Sequence, residues 1–252
     1  MHTSTLIVIP TYNELDSLPV TLAAIHTYAP HVDVLIADDN SPDGTGRWAD
    51  ERAAEDPRVN VLHRKEKAGL GPAYVAGFQW ALERDCEVIC EMDADGSHRG
   101  KDLPLLLDAV AGGADLAIGS RWVPGGAVVN WPRNRHVLSR GANIYVDALM
   151  GMGVKDATAG FRAYRRETLA QLDLAEIASQ GYCFQIDMTK RVHEAGLRIV
   201  EVPIVFVERE LGESKMHGSI IREAVGRVAQ WGAQRRFTQA RHLVGRVTGR
   251  VA

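Results

Sequence analysis

The chain has 252 residues, 46% hydrophobic and 24% charged, which suits one large globular domain or two small ones with a sizeable buried core. A formal net charge of -3 argues against a general nucleic-acid binder, so no nucleic-acid partner is expected. The three cysteines, Cys86, Cys90 and Cys183, are odd in number and form no C-x-x-C pair, which suggests neither a zinc ribbon nor a disulfide framework and favours buried, reduced thiols of a cytosolic protein.

Short β-branched runs alternate with longer helical patterns through the first half. The opening, MHTSTLIVIPTYNE, has too short an apolar run for a signal peptide. Its run at 5–9 reads as a strand, and a helical pattern follows over about 13–28 with Asn13 as a candidate cap. Next come a strand at 32–37, the polar loop DDNSPDGT, a helix near 45–55, a strand at 59–63 and a helix over about 70–83. A strand at 87–92, a helix near 102–111 and a strand at 114–120 complete the alternation. This pattern predicts a mostly parallel sheet with helices on both faces, whose ligands sit beyond the carboxyl ends of the strands.

The second half is less regular. Residues 125–135, rich in Gly, Pro and Trp, read as a loop before a helix over about 136–150. AGFRAYRRETL reads as a strand and then a helix, and RIVEVPIVFVERE as an extended pair broken at Pro203. The loop RELGESKMHG precedes a basic helical tail from Ser219. There Ile221, Val225, Val228 and Trp231 recur at helical spacing among Arg222, Arg227, Arg235, Arg236, Arg241, Arg246 and Arg250, against one acidic residue, Glu223. Such a pattern reads as a helix for a membrane surface or a membrane partner, or as a helix packed on the catalytic domain. No stretch approaches the roughly 18 apolar residues of a membrane span, so membrane contact is expected to be peripheral or through a partner.

Chemistry is expected just after the strands. Asp93-Ala94-Asp95 follows the apolar run EVICEM. Residues two apart on an extended segment point the same way, so Asp93 and Asp95 can face one hard divalent cation; the plain alternative is an acidic turn. Asp38-Asp39-Asn40-Ser41-Pro42-Asp43-Gly44 follows the second strand: Asp43 reads as a turn or cap residue, while Asp39 is placed to accept from a base or ribose. After the first strand, Tyr12 can cover a base and Glu14 can bind its edge or the sugar. AGLGPAYVAG lacks the third glycine of a dinucleotide fingerprint and reads better as a tight loop opening a helix. Arg121 follows a strand, Arg135, Ser139 and Arg140 lie near a helix start, and Arg209 and Lys215 flank a glycine. A single arginine is usually a surface charge, but several beside acidic clusters suggest oxyanion recognition, because the guanidinium fork matches phosphate. His98 and His217 lack metal-ligand spacing and read as packing or loop residues.

In order along the chain stand PTYNE, DDNSPDGT, EMDADGSH, GSRWVPGG, WPRNRHVLSRGAN, DATAGFRAYRRE, GYCFQIDM and ERELGESK. Over about residues 5–218 the chain thereby resembles the dolichyl- or polyprenyl-phosphate mannose synthases, inverting glycosyltransferases of family 2 with the GT-A fold. The resemblance implies an α/β catalytic domain over 1–218 and a tail over 219–252. It implies GDP-mannose as donor, bound by Pro10, Tyr12, Glu14, Ala37, Asp39, Asp93, Ala94, Asp95, Arg121, Arg209 and Lys215. Mg2+ or Mn2+ would bind Asp93 and Asp95, with Ser97 standing where some relatives supply a glutamine ligand. Arg121, Arg135 and Ser139 would grip the phosphate of a polyprenyl phosphate acceptor, which makes Asp95, Arg121 and Arg135 the residues closest to the chemistry. Location at the cytoplasmic face of a membrane, with or without a separate membrane-protein partner, follows from the same likeness. UDP-glucose is the alternative donor. A nucleotidyltransferase would be expected to carry a glycine-rich basic loop where PTYNE stands, and a silent subunit would not be expected to keep Asp93, Asp95, Arg121 and Arg209.

Overall fold

The computed structural model describes residues 4–177, 182–208 and 224–237. Strand β1 (Thr5–Thr11) is apolar on both faces, as a central parallel strand must be. Leu6 and Val8 join one buried cluster and Ile7 and Ile9 the other, so the period-2 alternation divides the core into a layer on each side of the sheet. Helix α1 (Leu18–Tyr28) starts later than the sequence pattern suggests. Asn13 adopts a left-handed φ of 57°, which ends any helix there, so it is not the cap. The first turn instead forms at Leu18, whose N–H donates to the Glu14 carbonyl at 2.9 Å.

The chain continues through β2 (Asp33–Asp38), α2 (Thr45–Glu55), β3 (Val59–His63), α3 (Leu70–Leu82), β4 (Val88–Glu91), α4 (Leu103–Ala111) and β5 (Leu116–Ser120). Gly77 lets α3 lie directly on β1: a Cβ there would stand 2.3 Å from Val8 Cγ1. AGLGPAYVAG is therefore a turn followed by a helix with a close-packing glycine, in keeping with the tight-loop reading. All three cysteines are buried and none of them forms a disulfide.

The second half differs more from expectation. The segment read as a loop contains β6 (Ala127–Val129), and α5 (Arg133–Met150) begins directly after Pro132. Then follow β7 (Arg162–Arg165), α6 (Arg166–Gln171), α7 (Tyr182–Glu194), β8 (Ile199–Pro203) and β9 (Val205–Val207). The seven-stranded sheet runs β3-β2-β1-β4-β7-β5-β8. Its pairs are parallel except that β7 lies antiparallel between β4 and β5. The break at Pro203 sends β9 away to pair with β6 in a second, two-stranded sheet.

A final helix, α8, spans 224–237. Val228 is buried in the larger apolar cluster, Trp231 packs against it, and the Tyr145 hydroxyl donates to the Val225 carbonyl at 3.1 Å. The described part of the tail is thus packed on the rest of the chain through α5; Ile221, Arg222, Glu223, Arg241, Arg246 and Arg250 lie outside the described residues. Among the described residues no helix is long and apolar enough to cross a membrane.

Candidate active site

The parallel strands β1, β2, β4 and β5 deliver their carboxyl ends to one edge of the sheet. Pro10 and Ala37 face each other across the β1–β2 register. Asp38 is a structural corner: it accepts from the Thr11 hydroxyl at 3.1 Å and from the Ser41 hydroxyl at 2.5 Å. Asp43 accepts from the Thr45 N–H at 3.0 Å and from the Leu15 N–H at 3.1 Å, joining the two loops. It therefore serves the turn and helix start, as its residue type suggested.

Asp39 is buried and receives Arg64 at 2.5 Å. Burial pushes its carboxyl above the usual range, against the pull of Arg64. The ring of Tyr12 carries the Lys67 ammonium 4.0 Å from its centroid. Glu14 accepts from the Ser17 hydroxyl at 2.9 Å. Arg64 and Lys67 went unread in the sequence; their signal was a basic stretch, HRKEK, directly after β3.

Asp93 and Asp95 follow β4. The Asp93 side chain is 33% exposed and receives the Tyr74 hydroxyl at 3.4 Å. Burial, and then the negative charge of Asp93, hold the Tyr74 phenol well above its usual range, so it stays a donor. His98 is buried, stacks on Phe161 with centroids 5.0 Å apart, and bonds through Nδ1 to the Asp93 N–H at 3.3 Å. Burial lowers its pKa to about 4, which makes it a neutral packing residue at pH 7. Asp95 accepts from the Ser97 N–H at 3.0 Å, while Ser97 itself is only 2% exposed. Ala94 is buried, and its carbonyl accepts from Thr21 at 2.9 Å. Among the described residues no group of three or more His, Cys, Asp or Glu gathers as a metal cage. The donor set is the carboxylate pair, which suits an ion that completes its shell with substrate phosphates and water.

Arg121, Arg135 and Ser139 come together on one cavity of about 430 Å³. The same cavity is lined by Val137, Leu138 and Val146 of α5 and by Val225 and Val228 of α8. Both arginines already hold carboxylates, which the sequence did not suggest. Arg121, 6% exposed, forms a two-pronged pair with Asp156 at 2.7 and 2.6 Å and donates to Thr158 at 2.8 Å. Arg135 is paired with Glu208. Trp131 lies between them, its ring centroid 5.3 Å from the Arg121 guanidinium and 4.4 Å from that of Arg135. Arg209, Lys215 and His217 lie outside the described residues.

The family described as Glycosyl transferase family 2 matches residues 6–173. The chain belongs to glycosyl transferase family 2. This family-2 transferase is 58% identical over 241 residues to the polyprenol monophosphomannose synthase of Mycolicibacterium smegmatis, covering 95% of this chain and 91% of that one. It is 57% identical over 240 residues to the undecaprenyl-phosphate mannosyltransferase of Micrococcus luteus, covering 95% and 98%. The resemblance drawn from the motifs is thus borne out. In fold the transferase is similar to glucosyl-3-phosphoglycerate synthase from Mycobacterium tuberculosis in complex with UDP, with a TM-score of 0.68, 18% identity and coverage of 92% and 80%. A mannosyltransferase from Pyrobaculum calidifontis in complex with GDP-Man and Mn2+ aligns with a TM-score of 0.58 at 18% identity, covering 88% and 61%. The mostly parallel, GT-A-like sheet expected of the family is present.

The Arg121–Asp156 pair generates a stability prediction. Removing one partner of a buried pair strands the other charge, at about 3–5 kcal/mol. Asp156→Ala in this family-2 transferase should lower the urea midpoint by that equivalent with an unchanged slope. Adding Arg121→Met should recover most of the loss. An Asp156→Ala protein as stable as the parent would show that Arg121 does not depend on Asp156.

Proposed function

We propose that this family-2 transferase moves mannose from GDP-mannose to a polyprenyl monophosphate, giving polyprenyl-phosphate mannose with inversion at the anomeric carbon. One observation carries the reading: two arginines and a serine share a cavity with an apolar wall from two helices. A phosphate joined to a hydrocarbon chain is the ligand that offers both chemistries. The reaction named for the relatives of 58% and 57% identity supports it.

On the donor side, Pro10, Tyr12, Glu14, Ala37, Asp39 and Ala94 would surround the nucleoside, and Arg209 and Lys215 would close over the diphosphate. Asp93 and Asp95 would hold Mg2+ or Mn2+, a class of ion present in the Pyrobaculum complex. When bound, the ion supplies charge neutralisation for the departing diphosphate. Ser97 would act through its N–H, which steadies Asp95, rather than as a ligand. On the acceptor side, Arg121, Arg135 and Ser139 would orient the phosphate. A phosphomonoester has a second pKa of about 6 and is largely a dianion at neutral pH, so its oxygen attacks without a strong general base. The protein's work is alignment opposite the leaving group and electrostatic stabilisation. In-line displacement turns an α-linked donor into a β-linked product.

Exposed apolar side chains on α5 and α8 support a peripheral membrane location. Val137 and Ile144 of α5 are 70% and 66% exposed, and Phe237 of α8 is 66% exposed. Apolar side chains beside the basic residues of α8 suit the interface of an anionic membrane, where the acceptor lipid resides. A cytoplasmic face, with or without a membrane-protein partner, fits this arrangement.

Transfer from GDP-mannose but not UDP-glucose to a short polyprenyl phosphate is the expected result, and the reverse preference would replace the donor. Excess chelator should stop turnover, and Asp95→Asn should lower it on the order of 10²-fold, as loss of one preorganised electrostatic group does; full activity in chelator would remove the metal from the mechanism. Arg135→Ala loses a charge-assisted bond worth about 1.5–3 kcal/mol, so the acceptor KM should rise about ten- to a hundredfold with the donor KM steady. Calorimetry in which this variant loses donor binding alone would move Arg135 to the donor site. Deleting the chain after Ser219 should reduce sedimentation with anionic liposomes, most at low salt because salt weakens the attachment of the full chain, and equal binding by both forms would place the anchor elsewhere.

A further inference from the structure

The two arginines of the acceptor cavity hold counter-ions of different kinds. Asp156, beneath Arg121, is fully buried and is also held by the Arg121 N–H at 2.9 Å and the Thr158 hydroxyl at 3.2 Å. Its own N–H is fixed on Glu201 at 2.9 Å. Glu208, on Arg135, is unlike it. Its side chain is 24% exposed against 16% for Arg135, and its carboxylate meets one guanidinium nitrogen, Nη1, with both oxygens. Its backbone is anchored separately, the N–H donating to the Val129 carbonyl at 3.0 Å. The carboxylate can therefore leave Arg135 without disturbing the chain, and water can receive it. Asp156 has no such exit, because Arg121 would remain behind, buried and uncompensated.

We propose that Glu208 is a resident counter-ion of Arg135 that the acceptor phosphate displaces, so that Glu208 sets acceptor affinity by competing for the same guanidinium. The inference rests on the cavity being the acceptor phosphate site. A phosphomonoester carries close to two negative charges and three acceptor oxygens at pH 7, more than one carboxylate offers, so the exchange runs forward. Until then Glu208 holds the Arg135 fork in place beside Trp131, where it meets the incoming phosphate already oriented. Glu208 is thus a positioning residue whose price is a fixed loss of acceptor affinity.

The test is a double-mutant cycle on Glu208 and Arg135, with GDP-mannose and a short polyprenyl phosphate as substrates and inorganic phosphate as a competing probe. Glu208→Gln should lower the acceptor KM about fivefold, the equivalent of about 1 kcal/mol and the upper range for a partly exposed pair. The inhibition constant of inorganic phosphate should fall in step, while the donor KM stays put. In an Arg135→Ala background the same change should move neither constant. Glu208→Asp, with its shorter reach, should also lower the acceptor KM, and it serves if the glutamine variant folds poorly. An acceptor KM that is unchanged or raised in a folded Glu208 variant overturns the proposal, as does an effect that survives in Arg135→Ala. A parent enzyme that transfers to no phosphate acceptor instead removes the reading of the cavity.

Discussion

A guanidinium and a carboxylate buried against each other, Arg121 on Asp156, constrain the half of the molecule that carries the arginine-lined cavity. Withdrawing two charges from water costs several kcal/mol per ion, and a single contact does not offset it. The structure offsets it by surrounding both ions. Thr158 and Asn143 bond to the pair, and the neighbouring backbone N–H groups of Lys155 and Asp156 are held by Glu201. These partners come from α5, from the loop between α5 and β7, and from β8. The polar requirements of one ion pair therefore fix how α5 lies on the sheet, and α5 carries Arg135 and Ser139.

A second buried network connects this half to the strand that precedes Asp93 and Asp95. Arg162, fully buried on β7, donates to the carbonyls of Ala157 and Ala159 at 2.8 and 2.7 Å, bracing the loop that holds Asp156 and Thr158. Its charge is answered by Glu91 on β4, which also accepts from Tyr164 at 2.8 Å and Gln185 at 2.5 Å. Burial pushes the Glu91 carboxyl up, and Arg162 opposes that. Glu91 lies two residues before Asp93. The antiparallel insertion of β7 is what brings Arg162 beside Glu91, with which it is in direct register. A regular parallel strand at this place would not carry the loop at 156–159 back under Arg121.

The fold was legible where a local pattern decides the outcome. The alternation of apolar strands and helices from β1 to β5 needs no distant contact to be recognised, and 59–63 was placed without error. The candidate edge was legible for the same reason: Asp93, Asp95, Asp39 and Arg121 each follow a strand. What escaped detection depends on distant partners. Short β6 exists because β9 is there to pair with it. The orientation of β7 depends on its position between β4 and β5, and the late start of α1 on one left-handed asparagine. In the site, Asp156 and Glu208 are ordinary acidic residues until the fold sets them on arginines 35 and 73 positions away. DATAGF was visible as a motif, but nothing in its spacing identified its aspartate as the counter-ion of Arg121.

These pairings divide the site electrostatically. Around Asp93 the contacts described are with neutral groups: the Tyr74 phenol, which burial keeps protonated, and the His98 ring, which burial keeps uncharged. A carboxylate pair in that company retains its negative potential for a divalent cation. Around the cavity of Arg121 and Arg135 the opposite holds, since each of these arginines is already matched by an acid. A dianion entering it gains less than two free guanidiniums would give, but the cavity avoids the greater desolvation cost of holding uncompensated cations beside an apolar wall. The two solutions suit their ligands. On the proposed function, a metal ion would bring positive charge to a site that lacks it, whereas a lipid phosphate would bring negative charge to a site that must be stable while empty. Burial makes Asp156 permanent and partial exposure leaves Glu208 exchangeable, so on the proposed reading Arg135 would free its fork for the phosphate while Arg121 would meet it still paired.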